Sequence, residues 1–151
     1  MMSTWITYGL FLLVTLGGGL LIGSQTDTGT WYQSLNKPSF TPPNWLFPVA
    51  WTILYVLVGI AGARTFLRAP TSAAMGIWVV QLLLNFAWTP VFFMAHRPSQ
   101  ALIVIGLLLI SILAFIILRW TPDRIAAILF LPYAVWVAYA TALNATIAVN
   151  N

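Results

Sequence analysis

The sequence predicts an all-α integral membrane protein: a bundle of five transmembrane helices with a long ordered loop between helices 1 and 2. Three observations predict it. Six Lys/Arg and two Asp/Glu among 151 residues make 5% of the chain charged, against about 25% in a soluble domain. Apolar residues make up 61%, and the mean hydropathy is +0.95. Five stretches reach the roughly 20 mainly apolar residues that a bilayer-spanning helix needs, and none alternates in the manner of a membrane barrel. The same composition excludes a soluble enzyme and a disordered tail. It excludes nucleic acid as a partner as well, because the pI near 10.0 rests on six scattered cations with no basic patch. The partner that remains is the lipid bilayer. With no Cys there are no disulfides and no thiolate metal sites.

Residues 1–151 read as one domain. Helix 1 runs from about Trp5 to Gly23 without a charge, and lacks the basic n-region and small-x-small cleavage site of a signal peptide. The loop follows, from about Ser24 to Asn44. Helix 2 runs from about Trp45 to Leu67 and closes on Arg64 and Arg68, with Arg64 close enough to the end to snorkel. Helix 3 runs from about Ser72 to Ala95 and stops before His96, Arg97 and Pro98. Helix 4 runs from about Gln100 to Leu118, with Ser111 the one polar side chain from Leu102 onward, and reads as a lipid-facing wall. Helix 5 runs from about Arg124 to Val149. Pro70, Pro98 and Pro122 fall in the breaks, where a ring without an N–H ends a helix.

The loop exceeds the roughly 12–15 residues usual for structureless connections. Trp31, Tyr32, Leu35 and Phe40 give it an apolar side, and Pro38, Pro42 and Pro43 stiffen it, so it reads as a folded lid. Arg64, Arg68, Arg119 and Arg124 fall at one end of the bundle, Lys37 and Arg97 at the other. Four cations against two predict an inside N-terminus, with the lid and the C-terminus outside. The five spans do not divide into paired inverted halves, and no ionisable group lies at mid-span. Ion-driven transport is therefore disfavoured.

Three stripes carry the remaining polar and aromatic residues. Phe47, Trp51 and Tyr55 lie one turn apart on helix 2. Gln81, Asn85, Trp88 and Phe92 share a face of helix 3, and Tyr133, Trp136, Ala140, Leu143 and Asn144 one of helix 5. Each stripe alone fits interhelical packing, and Gln81 and Asn85 fit either bundle glue or ligand contact. Chain direction brings all three toward the lid, where they would wall a pocket for a flat, largely apolar ligand. No catalytic residue emerges: Asp27 and Asp123 both sit in loops and cannot form a buried acid/base pair, and the lone His96 reads as an interfacial residue beside Arg97. No metal cluster appears. Gly19 with Gly23 and Gly59 with Ala63 have the spacing that lets helices approach closely. Trp5, Trp45 and Trp120 fit interfacial anchors, and Trp78 is left between lipid and neighbour.

The runs WYQSLNKP from Trp31 and PPNWLFPVAWTILY from Pro42 resemble the signature of the translocator protein / tryptophan-rich sensory protein (TspO/MBR) family. NFAWTPVFF from Asn85 resembles its third-helix motif, and PYAVW from Pro132 and ATALN from Ala140 its fifth. The resemblance implies a homodimer that binds porphyrins such as protoporphyrin IX, with no obligatory cofactor, and also synthetic isoquinoline carboxamides and benzodiazepines. Carried over by motif, Trp51, Asn85, Trp88, Trp136, Ala140 and Leu143 would touch ligand, with Trp31 and Pro42 in the covering loop. Lys37 is a candidate partner for a propionate. Tyr139 lacks the basic residue that follows the tyrosine of the family's sterol pattern, which sets sterol binding by that route in doubt. The expected role is a receptor acting in regulation, sequestration or transfer of tetrapyrroles and in stress signalling, in a bacterial cell membrane or an organelle membrane. The alternatives are a passive porphyrin or sterol transporter and a light-dependent porphyrin-degrading enzyme.

Overall fold

The computed structural model describes residues 3–24 and 29–151, all-α with no strand among them. Asp27 lies outside the described residues. Five helices are long and apolar enough to cross a membrane: span 1, Thr4–Gly23; span 2, Leu46–Arg68; span 3, Ala73–Met94; span 4, Pro98–Arg119; span 5, Arg124–Asn150. The predicted spans therefore appear in order, with ends shifted by a few residues at most.

Local chemistry sets the ends. The Ser3 and Ser72 hydroxyls accept from the N–H groups of Ile6 and Met75, both at 3.2 Å, and so cap spans 1 and 3. Pro98 opens span 4, where its missing N–H costs nothing. Inside spans the same ring perturbs the helix. After Pro90 the turn widens, and the Ala95 N–H reaches back five residues to the Pro90 carbonyl at 2.8 Å. Span 5 was expected to run unbroken, but its helices Arg124–Leu129 and Leu131–Asn150 meet at Phe130. Pro132 just beyond leaves the Phe130 N–H a tightened bond to Ala127 at 3.1 Å.

Span 4 packs extensively against spans 3 and 5, and span 1 against span 2. Span 4 is thus not only a wall toward lipid. Its Ile105, Leu108, Ile112 and Phe115 are fully buried, while Ile103, Ile110 and Ile117 on its other face are exposed. Span 1 is the peripheral one, with 17% of its apolar window buried against 33–44% for the others.

Glycines set the closest approaches. A Cβ at Gly62 would overlap the indole of Trp78, whose Nε1–H donates to the Val58 carbonyl at 3.0 Å. Trp78 therefore faces a neighbour, not lipid. Gly59 admits Thr15 and Leu12 of span 1, and the Thr15 hydroxyl donates to the Tyr55 carbonyl at 2.9 Å. Arg64 does not snorkel outward. It turns onto Asp123 with two hydrogen bonds, Nε to Oδ2 at 3.0 Å and Nη2 to Oδ1 at 2.9 Å, and ties span 2 to the break before span 5.

Candidate functional site

The lid enters the bundle through one short helix, Thr30–Ser34. Trp31 and Tyr32 are adjacent on it and must diverge. Tyr32 is the one that plugs inward, 1% exposed, against Phe47, Phe92 and Phe93 at ring distances of 6.3, 6.5 and 5.5 Å. Burial, and after it the nearby Tyr139 phenol, push the Tyr32 phenol up to about 12. Trp31 lies across the end of span 3, stacked on His96 at 4.2 Å and edge-on to Phe92 at 5.7 Å. His96 holds a φ of 55°, the left-handed conformation that closes span 3. Pro42 is buried beneath the lid. Lys37 is engaged with the lid itself: its Nζ donates to the Tyr32 carbonyl at 2.8 Å and sits 4.6 Å from the centre of that ring. The lid's far end is held by Asn36, whose N–H donates to the Asn151 Oδ1 at 3.1 Å, and by the Tyr139 hydroxyl, which donates to the Phe40 carbonyl.

Beneath the lid the three stripes meet. Trp51 is the junction, with Trp88 and Trp136 each at 6.3 Å and Tyr55 at 5.7 Å. Phe47 approaches Trp136 edge-on at 6.1 Å. The amides are held within the bundle. The Tyr55 hydroxyl donates to the Asn85 Oδ1 at 2.6 Å, the Asn85 Nδ2 donates to the Tyr133 hydroxyl at 2.7 Å, and that hydroxyl donates to the Gln81 Oε1 at 2.8 Å. One directional chain therefore joins spans 2, 3 and 5. Separately, the Trp88 Nε1–H donates to the Asn144 Oδ1 at 2.9 Å, and the Asn144 Nδ2 donates to the Pro98 carbonyl at 2.8 Å. Ala140, Leu143 and Phe92 are buried in the same packing.

Empty space opens on the other side of Trp51. A cavity of about 370 Å³ lies between spans 1 and 2, within the range of about 300–1,000 Å³ usual for ligand sites. Phe47, Trp51 and Tyr55 form one wall with Asn44, Pro48 and Thr52; Gly19, Leu20, Gly23 and Ser24 form the other. Of the candidate residues named from the sequence, those that line this cavity are the span 2 stripe, and none is on the span 1 wall. The signal was the Gly19–Gly23 spacing: Gly19 is bare because the Tyr55 ring takes the place of a Cβ, and Gly23 faces open space. Trp136 lines a second, shallower groove of about 420 Å³ with Leu54, Pro132 and Tyr139. Its Nε1–H is buried without a partner, as are the Tyr32 hydroxyl and the Gln81 Nε2. The site thus offers indole and phenol faces with no carboxylate among the described residues that line it, an arrangement suited to holding a flat apolar molecule.

Comparison with known proteins agrees with the motifs. The model of the TspO/MBR family matches residues 10–149. The chain is 44% identical to Protein CrtK of Rhodobacter capsulatus over 126 residues, which cover 81% of this chain and 79% of that one. It is 37% identical to the tryptophan-rich sensory protein of Cereibacter sphaeroides, covering 91% and 88%. It is 34% identical to the human translocator protein, covering 83% and 79%. A match that takes in all five spans and the lid, joined by relatives from bacteria to human aligned over most of their length, leaves one conclusion: this chain is a multi-pass integral membrane protein and belongs to the TspO/MBR family.

Proposed function

We propose that the chain is a membrane receptor for planar tetrapyrroles of the protoporphyrin IX class, which it captures under the lid for regulation, sequestration or transfer. The observation that carries this reading is Trp51, an indole that walls the cavity between spans 1 and 2 and at the same time touches Trp88 and Trp136. A macrocycle lying on that wall gains offset aromatic contacts worth about 0.5–1.5 kcal/mol each beyond the apolar area covered. The names of two relatives, a sensory protein and a translocator protein, fit a role in sensing or transfer. We take the receptor to be a homodimer whose lid and C-terminus face outward, since Arg64, Arg68, Arg119 and Arg124 all sit at the opposite end.

The test is titration of protoporphyrin IX into the detergent-purified chain, read by quenching of Trp fluorescence. Trp51→Ala is expected to weaken binding by about 10- to 30-fold, the range for truncating a central aromatic anchor. Trp5→Phe, at an 84% exposed position near the far end of span 1, should leave affinity at the wild-type value. Equal affinity in Trp51→Ala and the wild type would remove Trp51 from the site and the reading with it.

A further inference from the structure

The end of the bundle away from the lid holds four arginines, Arg64, Arg68, Arg119 and Arg124, and one carboxylate, Asp123, which reaches Arg64 and Arg68. Asp123 satisfies Arg64 at 2.9 Å and stands 3.7 Å from the Nε of Arg68, whose side chain remains 53% exposed. Arg119 is different. It is the last residue of span 4, it is only 5% exposed, and its buried Nε has no hydrogen-bond partner. Among the described residues it forms no ion pair. A guanidinium withdrawn from water with no anion beside it is costly, and such groups are normally paired. Arg124 flanks it, held over the Trp120 ring at 4.9 Å and bonded through Nε to the Trp120 carbonyl at 3.1 Å. Four guanidinium groups against one carboxylate leave three positive charges where spans 2 and 4 end and span 5 begins.

We propose that this end is a binding site for the phosphate of an anionic phospholipid, taken by Arg119 together with Arg68 and Arg124. The guanidinium fork matches phosphate oxygens, and a phosphodiester supplies the anion that Arg119 lacks. A lipid source is favoured over free phosphate because Arg119 is the last residue of a bilayer-spanning helix. Trp120, 41% exposed, adds an aromatic anchor at the same level. The site is independent of the tetrapyrrole cavity, which lies at the opposite end of spans 1 and 2.

The test is native mass spectrometry of the full chain after equilibration with mixed micelles containing equal amounts of phosphatidylglycerol and phosphatidylcholine of identical acyl chains. The wild type is expected to retain phosphatidylglycerol in preference. Arg119→Gln and Arg124→Gln should each lower that preference about fivefold, the usual effect of one basic residue at an anionic surface. Arg97→Gln, which removes an equal charge at the lid end, should not. If Arg119→Gln does not fold, the exposed Arg124→Gln decides. Unchanged preference in the folded arginine variants, or an equal fall in Arg97→Gln, overturns the site. In a second arm the wild type is held in phosphatidylcholine with 10-fold excess inorganic phosphate over added phosphatidylglycerol. Displacement of phosphatidylglycerol by phosphate would replace the lipid with a free anion and overturn the proposal.

Discussion

Gly62 is bare because the Trp78 indole occupies the volume a side chain would fill, and the indole N–H is fixed there by the Val58 carbonyl. Gly62→Ala must therefore push a fully packed ring aside, and overpacking of that kind costs about 1–3 kcal/mol. Gly76→Ala is the matched control, since a Cβ there meets nothing within 4 Å and a helix interior favours alanine over glycine by about 0.5–1 kcal/mol. Thermal unfolding in one detergent should show a lowered midpoint for the first and an equal or raised one for the second. A neutral Gly62→Ala would mean that the two spans separate easily. The pair also marks where sequence reading stops. Helical spacing gathers residues onto a face, as it gathered Phe47, Trp51 and Tyr55, but it does not say which face of another span that face will meet. Trp78 therefore stayed undecided, and the Gly19 wall of the cavity was read only as a packing motif. The same gap separates Asn85 as a candidate contact from Asn85 as the middle of a hydrogen-bonded chain, because its partners Tyr55 and Tyr133 lie on other spans.

Whole elements were the most legible feature, since five apolar runs bounded by proline and arginine leave little choice in lipid. Two departures came from chemistry inside a run. Pro90 and Pro132 sit within apolar stretches, so hydropathy hides the widened turn and the break at Phe130. The tie between elements was equally hidden. Arg64 and Asp123 are 59 residues apart, and each alone reads as an ordinary end-of-span charge. Burial pushes the Asp123 carboxyl up, but the hydrogen bonds and charge of Arg64, with the charge of Arg68, outweigh it and hold the group below the usual carboxylate range. A carboxyl depressed in the folded state contributes stability above its unfolded pKa near 4, and that contribution is lost as pH falls below this value. The unfolding midpoint should therefore drop as pH falls below about 4 in the wild type. Asp123→Asn should start lower and lose less over the same interval. A parallel fall in both proteins would assign the acid sensitivity to other groups.

At the scale of the whole molecule, charge and architecture act on one axis. The lid binds to spans 3 and 5 through Trp31–His96, Tyr139–Phe40 and Asn36–Asn151, so the lid and the Trp51 cavity belong to one end, with Gln81 and Tyr133 deeper in the bundle. The arginines occupy the other end, and the transport machinery of the cell retains basic loops on the inner side. The margin is four cations against two, which makes orientation a sharp test of how far that bias reaches. The chain contains no Cys, so any introduced thiol is the only one. Ser39 in the lid and Ser99 at the start of span 4 are exposed at the lid end, while Thr71 and Thr121 are exposed at the arginine end. A membrane-impermeant maleimide added to intact cells should label Ser39→Cys and Ser99→Cys, and should reach Thr71→Cys and Thr121→Cys only after permeabilisation. Labelling in the reverse pattern would invert the molecule. It would open the tetrapyrrole cavity toward the inner leaflet and set the arginine cluster against the outer one, where anionic lipid is scarcer. Labelling of all four in intact cells at half yield would indicate that four arginines against two cations do not suffice to fix a single orientation.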